Sequence, residues 1–366
     1  MLGLKRRPAP SEGTPRREPA QADRAADAPV IDIDALWKVY GPQEPKARSE
    51  IARGAGWTES AAALRDVSLQ IHPGEIFVVV GLSGSGKTTL LRSLNGLVRP
   101  TAGTVRVLGT DVAAGGTSLR ELRSRLGMIF QLFGILPHRS VISNAAFGLE
   151  LRGVSRAERE RRAGETLSLV GLEGREHAYP DELSGGQLQR VGLARALALD
   201  PDVLLMDEPF SALDVLIREE LRKQLLEIQK RLQKTIVLIT HDLTDAVVLA
   251  DRIALLHAGV LRQVGTVPEV CFAPKDEVVE RYVTHVPQLE VLRVEHALID
   301  DVPPADAPVT RAGAPLAEAI GLLGAPGVSS LRVAADDGRT IGSVTAETVV
   351  RVLGRGPLVS ETEVRS

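Results

Sequence analysis

The sequence is poor in cysteine and in aromatic residues. Its 366 residues include one cysteine, Cys271, and only 3% are aromatic. A single cysteine excludes an internal disulfide and a cysteine-based zinc site. Few rings are available to stack on single-stranded nucleic acid, and a formal net charge of −3 opposes a general affinity for nucleic acid or anionic lipid. We therefore expect no nucleic-acid partner.

Long apolar runs are also absent. The longest, residues 76–82, is far below the roughly 20 residues that a membrane-spanning helix needs. The N-terminal sequence MLGLKRRPAP has basic residues but no apolar segment of signal-peptide length. We expect a cytoplasmic protein whose association with a membrane depends on a partner.

What is present predicts an α/β fold. The length suggests two or three domains, and residues 1–29, rich in proline, alanine and charge, predict a disordered leader. Residues 76–80 form a continuous, largely β-branched apolar run, typical of a strand that is buried on both faces of a parallel sheet. Helical patterns separate it from three similar runs, which favours a parallel sheet. Those runs are residues 203–206, 236–239 and 253–256.

Two further regions have distinct patterns. Residues 151–180 are rich in arginine and glutamate and predict a helix that ends near Pro180. From residue 286 onward, a proline cluster precedes two short helical and two strand-like segments. This stretch is too short for the main fold, so we predict a separate small α+β module over residues 286–366.

A glycine-rich loop follows the first buried strand. Residues 81–88 read G-L-S-G-S-G-K-T and match the phosphate-loop pattern, with a strand before it and a helical pattern after it. Its glycines let backbone N–H groups surround phosphate oxygens; Lys87 would reach the β- and γ-phosphates, and Thr88 would offer a hydroxyl to Mg²⁺. The alternative is a chance glycine turn before a helix. The predicted nucleotide-binding residues here are Gly81, Ser83, Gly84, Ser85, Gly86, Lys87, Thr88 and Thr89.

A second buried run ends in two carboxylates, Asp207 and Glu208. An unpaired buried acid is costly, so a strand end is a place where Asp207 can meet a metal ion. Glu208 suits a base that polarises an attacking water. The alternative interpretation is an ordinary acidic turn after a strand.

A third pattern, Leu-Ser-Gly-Gly-Gln over residues 183–187, precedes a helical stretch. Ser184 can simply cap that helix. The glycines also free backbone N–H groups for a γ-phosphate at the helix N-terminus.

Together these motifs resemble the nucleotide-binding domain of ABC transporters over about residues 30–270. The 183–187 pattern is similar to the ABC signature, Gln131 to the Q-loop glutamine, and Asp214 to the D-loop aspartate. His241 is similar to the switch histidine, and Tyr40 to the aromatic residue under adenine, although each of these two could be structural instead. The resemblance implies a P-loop NTPase domain over 30–285, with a mixed sheet, an antiparallel β subdomain and a helical subdomain.

The resemblance also implies a mechanism and partners. ATP and Mg²⁺ would be the cofactors, with Thr88, Gln131 and Asp207 near the metal and Glu208, His241 and Gln131 catalytic. Two copies would pair head to tail, and each would present its signature to the other's phosphate loop. We expect transmembrane permease subunits, an indirect extracytoplasmic solute-binding protein, and a peripheral position on the cytoplasmic face of the inner membrane. The signature residues that would act in trans are Ser184, Gly185, Gly186 and Gln187.

Two features narrow the family to importers of glycine betaine, proline or related quaternary amines. An insertion of about twenty residues between Tyr40 and Leu64, with a helical piece near 49–55, is similar to the insertion in these importers. The amino-acid sequence around Gln131 is also similar to theirs. Alternatives are an importer ATPase for another small solute, such as an amino acid or a sulfonate, and more distantly a soluble ABC ATPase of translation or DNA repair.

The C-terminal module resembles a single cystathionine-β-synthase (CBS) domain, whereas members of this group often carry two. At its last strand-to-helix turn it reads Thr345-Ala-Glu-Thr348, without the aspartate that would hold a ribose, so we do not expect nucleotide binding there. A role in dimer contact or in regulation by ionic strength competes with a degenerate packing role.

Overall fold

Three β-sheets organise the part of the chain that the structure describes. The computed structural model describes residues 28–57, 62–131, 134–284, 286, 288–304, 306–335 and 337–355. The leader predicted over 1–29 lies, except for its last two residues, outside this part. Within these ranges, no helix combines the length and the apolar character needed to span a bilayer.

The strands and helices are numbered in chain order. The strands are β1 (Ile31–Val39), β2 (Ala62–Ile71), β3 (Ile76–Val80), β4 (Ala102–Val107), β5 (Thr110–Asp111), β6 (Leu126–Ile129), β7 (Val203–Asp207), β8 (Thr235–Thr240), β9 (Arg252–His257), β10 (Val260–Gly265), β11 (Val309–Arg311), β12 (Ser330–Ala334) and β13 (Thr340–Thr345). The helices are α1 (Glu44–Ala52), α2 (Lys87–Leu94), α3 (Gly116–Ser124), α4 (Val141–Ala145), α5 (Phe147–Leu151), α6 (Arg156–Leu169), α7 (Gly185–Leu197), α8 (Val215–Leu232), α9 (Leu243–Leu249), α10 (Val267–Phe272), α11 (Glu277–Val283), α12 (Gln288–Val291), α13 (Leu316–Leu323) and α14 (Ala346–Arg355).

The central sheet has the order β10-β9-β3-β8-β7-β6. Neighbouring strands from β9 to β6 are parallel, and β10 pairs antiparallel with β9 at the edge. Every residue of β3, β7 and β8 is buried, as their continuous apolar runs predict. The expected α/β fold with a mixed central sheet is confirmed.

The central sheet separates two cores. Along β3, Ile76, Val78 and Val80 face a core that is closed by α4 and α6–α9. The alternate residues Phe77 and Val79 face the other core, since successive strand side chains point to opposite faces. Helices α2 and α3 and an antiparallel sheet of order β2-β1-β4-β5 close that side. These are the helical and β subdomains that the sequence predicts.

Two helix boundaries differ from their predictions. The helix in the insertion is Glu44–Ala52 rather than 49–55, because Pro45 lies in its first turn, where a missing N–H costs nothing. The helix in the 151–180 region runs only from Arg156 to Leu169. It stops before Gly171, whose φ of +70° is the left-handed conformation that ends helices.

The C-terminal module has a core of its own. Its sheet, of order β11-β12-β13, packs against α13 and α14 around ten buried apolar residues from Leu292 to Val352. Thr345 and Thr348 cap α14 reciprocally, since each backbone N–H donates to the other's hydroxyl, at 3.0 and 3.3 Å. The 285/286 boundary and the kinship to CBS domains stay predictions.

A buried ion pair joins α8 to α9. Arg222 Nε donates to Asp245 Oδ1 at 2.7 Å, and the two residues are 8% and 3% exposed. Burial raises the pKa of Asp245, although hydrogen bonds from Thr240 and Arg222 oppose that rise. Removing the cation leaves a buried carboxylate without compensation, which is far costlier than losing a solvated pair.

We predict that Arg222→Met lowers the free energy of unfolding by about 3 kcal/mol. Urea unfolding followed by tryptophan fluorescence measures this loss. Arg156→Met is the matched control, because Arg156 pairs with Glu160 at the surface and should leave the unfolding midpoint where it is. Equal midpoints for both variants would contradict the prediction.

Candidate functional site

Three adjacent parallel strands deliver the predicted site residues to one edge of the central sheet. In the pairing of β3 with β8, Val80 lies opposite Thr240, and in that of β7 with β8, Asp207 lies opposite Ile239. The next residues, Gly81, Glu208 and His241, therefore leave the sheet side by side. Such a carboxyl-end edge is where ligands bind in open α/β sheets.

The 81–88 loop has the backbone that its glycines permit. Gly84 and Gly86 have φ of +79° and +104°, which side chains disfavour. A Cβ at Gly81 would overlap the carbonyl oxygen of Leu256. Lys87 Nζ lies under the loop and donates to the carbonyl oxygens of Gly81 and Leu82, at 2.7 and 3.1 Å. The loop is thus a closed cradle in front of the N-terminus of α2.

One atom of the cradle lacks a partner. Ser85 Oγ is buried and has no hydrogen bond among the described residues. The backbone carbonyl oxygen of Ser85 accepts from Gly259 N at 2.9 Å, which fixes Ser85 against the β9–β10 turn. A buried hydroxyl without a partner is costly, and a phosphate oxygen would satisfy it. The loop therefore fits a phosphate-bearing ligand.

Thr88, Asp207 and Arg92 form a polar cluster beside the loop. Thr88 Oγ1 donates to Asp207 Oδ1 at 3.2 Å, and Arg92 Nη2 lies 3.9 Å from Asp207 Oδ2. Burial raises the pKa of Asp207, against the lowering effects of the Thr88 hydrogen bond and the Arg92 charge. A hydroxyl next to a carboxylate is an oxygen donor set that Mg²⁺ accepts. Within the described ranges, no group of three histidine, cysteine, aspartate or glutamate side chains could hold a metal, so Mg²⁺ here would need oxygens from a ligand.

Glu208 occupies the centre of the site. Its φ of +47° is uncommon for a residue other than glycine, and such backbone strain concentrates at functional sites. Its Oε1 lies 3.8 Å from Lys87 Nζ, and its Oε2 lies 3.0 Å from His241 Nδ1. A carboxylate only accepts, so His241 Nδ1 is the donor. Burial lowers the pKa of Lys87, although Glu208 and Asp207 raise it.

Tyr40 lies at the rim, with 47% of its surface exposed. Lys38 Nζ is 5.0 Å from the centroid of its ring, and its hydroxyl is 3.5 Å from Thr89 Oγ1. Glu44 of α1 accepts from both Lys38 Nζ and Thr101 Oγ1, at 3.0 and 2.9 Å, so the insertion holds the lysine beneath the ring. A base can stack on such an exposed ring.

Among the described residues, no hydrogen bond or ion pair joins the other predicted residues to this cluster. Ser184 caps α7 in a reciprocal pair with Gln187, and Asp214 caps α8 through Ile217 N at 3.0 Å. Gln131 is exposed after β6, and no hydrogen bond joins it to the phosphate loop within the described part of the chain.

Sequence reasoning missed four residues that act near the site. Arg92 follows Thr88 by one helical turn, a spacing that could have pointed to it. Lys38 precedes Tyr40 by two residues, but nothing in the pattern indicates that its ammonium turns under the ring. Glu44 and Tyr282 reach the site only through the fold; Tyr282 Oη accepts from Leu82 N at 2.9 Å.

Known proteins agree with this geometry. The family model described as "ABC transporter" matches residues 64–211. Among solved structures, the dimeric post-hydrolysis state of an ATP-binding cassette bound to ADP and Pi is 30% identical, with a TM-score of 0.55, over 64% of this chain and 98% of that one. The predicted ABC ATPase fold is confirmed.

Three curated relatives are informative. The glycine betaine transport ATP-binding protein OpuAA of Bacillus subtilis is 45% identical over 73% of this chain and 66% of its own length. The trimethylamine N-oxide transport system ATP-binding protein TmoW of Ruegeria pomeroyi is 43% identical over 75% and 82%. The methionine import ATP-binding protein MetN of Geobacillus kaustophilus is 47% identical over 69% and 70%.

The match to OpuAA thus spans slightly less than two thirds of that relative's length, whereas TmoW is covered well beyond two thirds. The predicted resemblance to the glycine betaine group is confirmed by OpuAA and by ProV of Escherichia coli, a glycine betaine/proline betaine protein that is 46% identical. The chain belongs to the ATP-binding subunits of ABC transporters.

Proposed function

We propose that the chain hydrolyses ATP to drive an importer of a compatible solute, with glycine betaine or a related quaternary amine as cargo. One observation carries the ATPase proposal. Glu208 lies between Lys87 and His241, at 3.8 and 3.0 Å, at the mouth of a phosphate loop. A base beside a phosphate-binding lysine is the arrangement that directs water to a phosphoryl group.

The loop residues 81–89 and Tyr40 bind the nucleotide in this proposal. Backbone N–H groups of the loop and the N-terminus of α2 hold the phosphates, and the Ser85 hydroxyl gains the partner it lacks. Lys87 exchanges the carbonyl oxygens of Gly81 and Leu82 for phosphate oxygens. Tyr40 offers its open ring face to the base.

Glu208 is the proposed general base. Its carboxylate accepts a proton from water, and His241 Nδ1 holds Oε2 so that the other oxygen stays available. The left-handed backbone at Glu208 aims the side chain out of β7, and Ser211 Oγ, which donates to the Glu208 carbonyl at 3.0 Å, secures that turn. Gln131 and His241 complete the proposed catalytic set.

Mg²⁺ fits beside Thr88 and Asp207, with Gln131 as a third proposed contact. The ion would neutralise charge on the phosphate oxygens. Burial disfavours the charged form of Asp207, as its raised pKa indicates. A neighbouring cation would stabilise that charged form.

A head-to-tail homodimer supplies the remaining proposed contacts. Ser184, Gly185, Gly186 and Gln187 begin α7, whose N-terminus suits a phosphate; no hydrogen bond links them to their own phosphate loop among the described residues. We propose that they and Asp214 act on the partner's nucleotide. The dimeric state of the similar ATP-binding cassette supports this arrangement.

The names of the relatives support the cargo. OpuAA is named as an ATP-binding protein of glycine betaine transport, and TmoW as one of trimethylamine N-oxide transport; both solutes carry a nitrogen with three methyl groups. The partners would be permease subunits in the membrane and, indirectly, a solute-binding protein, with this chain peripheral on the cytoplasmic face. The 47% identity to MetN favours an amino acid as the second candidate cargo.

The module over 286–366 is proposed as a single CBS-like domain that regulates transport. The reciprocal Thr345–Thr348 cap occupies the turn where an aspartate would hold a ribose. We therefore propose a role in dimer contact or in regulation by ionic strength, and no nucleotide binding at this turn.

We predict that Glu208→Gln lowers the ATPase rate by about 10²–10⁴-fold while ATP binding persists, since the amide cannot take up a proton. Lys87→Ala is the comparison variant and should lose binding itself. Phosphate release and titration with ATP measure the two effects. Wild-type turnover by Glu208→Gln would disprove the base assignment.

We predict that uptake of labelled glycine betaine, in cells expressing the complete transporter, requires Glu208 and rises with osmolality. Wild-type and Glu208→Gln chains are compared at low and high osmolality, with permease expression verified. Absent uptake of glycine betaine together with Glu208-dependent uptake of methionine would transfer the proposal to the second cargo.

We predict that deleting residues 290–366 weakens the dependence of uptake on salt, because the module is the proposed regulatory part. Uptake at graded salt concentrations, normalised to ATPase rate, measures this. An unchanged salt response would refute the regulatory role of the module.

A further inference from the structure

The phosphate loop is hydrogen-bonded to a helix that lies 200 positions further along the chain. Leu82 N donates to Tyr282 Oη at 2.9 Å. Leu82 is 57% exposed, so packing of its own side chain does little to hold this part of the loop. The tyrosine hydroxyl is the protein partner of that N–H within the described residues.

The Leu82 backbone is held on two sides. Its N–H donates to Tyr282 Oη, and its carbonyl oxygen accepts from Lys87 Nζ at 3.1 Å. Nucleotide binding as proposed above draws Lys87 away from this carbonyl toward the phosphates. The bond to Tyr282 uses the Leu82 N–H and does not involve Lys87. It can therefore persist when the lysine moves.

Tyr282 is itself fixed in place. Its ring meets His257, at the end of β9, edge to face, with centroids 6.2 Å apart and planes at 85°. Asp276 caps helix α11, since its Oδ1 accepts from Val279 N at 2.9 Å, and its Oδ2 lies 3.6 Å from Arg262 Nη1 of β10. The hydroxyl is thus carried by a helix anchored to the sheet edge.

The β9–β10 turn holds the other end of the same loop. Gly259 N donates to the carbonyl oxygen of Ser85 at 2.9 Å, and the Gly259 carbonyl accepts from Arg65 N at 2.8 Å. Tyr282 and Gly259 therefore secure the loop at positions 82 and 85, between which its backbone turns.

We propose that Tyr282 is a positioning residue for nucleotide binding, which orders the first half of the phosphate loop through its hydroxyl. The proposal rests on the nucleotide-binding role of that loop. A hydroxyl that acts on the loop and not on reacting atoms changes binding and leaves the chemical step alone. A ring that only packs would change neither binding nor the chemical step, and phenylalanine would replace tyrosine without effect.

The test is Tyr282→Phe, which keeps the ring contact with His257 and removes the hydroxyl. A net hydrogen bond corresponds to about a two- to ten-fold change in an equilibrium constant. We expect the Kd for Mg·ADP and the KM for ATP to rise by about that factor, with kcat unchanged. In the nucleotide-free protein, amide hydrogen exchange of the peptide containing residue 82 should become faster.

Tyr179→Phe is the matched control, since it removes the hydroxyl of a half-exposed tyrosine in the segment before α7. Leu82→Pro removes the same hydrogen bond from the donor side. In that background Tyr282→Phe should add nothing to the rise in Kd, which is the signature of one shared interaction. This double-mutant cycle also tests the proposal if Tyr282→Phe alone destabilises the protein.

An unchanged Kd in Tyr282→Phe would overturn the proposal, and so would an equal rise in Tyr179→Phe or full additivity with Leu82→Pro. A failure of the proposed function is separate: the wild-type chain would then bind no nucleotide at all. Hydrogen exchange at residue 82 reports on the bond without any nucleotide.

Discussion

The parallel pairing of β3, β8 and β7 is the constraint on which the rest of the structure depends. Each of these strands is buried throughout, so their apolar residues must pair in the interior and leave polar residues to the ends. Because the three strands run in the same direction, their carboxyl ends lie at one edge. The phosphate loop, Glu208 and His241 become neighbours there although they are far apart in the chain.

Around that edge, three charged side chains are each held by a neighbouring polar group. Lys87 lies beneath the loop carbonyls, Glu208 is fixed by His241, and Asp207 is fixed by Thr88. The buried pair of Arg222 and Asp245 secures α9, the helix that follows His241. These contacts hold the side chains of the site in place before any ligand binds.

The segment that leads to the C-terminal module touches the site as well. Tyr282 of α11 holds Leu82, and α12, which follows, packs between α9 and α13 of the module. These contacts connect the module, through α12, to the helix that follows His241.

The sequence alone determined the phosphate loop, the acidic end of β7 and the α/β alternation, because each is a local pattern of residue types with a local physical meaning. It also placed the insertion, though not the start of its helix, since Pro45 sets that boundary. Tertiary structure alone decided that Lys38 turns under Tyr40, that Glu44 holds it, and that Tyr282 reaches Leu82. Those contacts join residues up to 200 positions apart, and no local pattern encodes which distant hydroxyl or carboxylate the folded chain brings near.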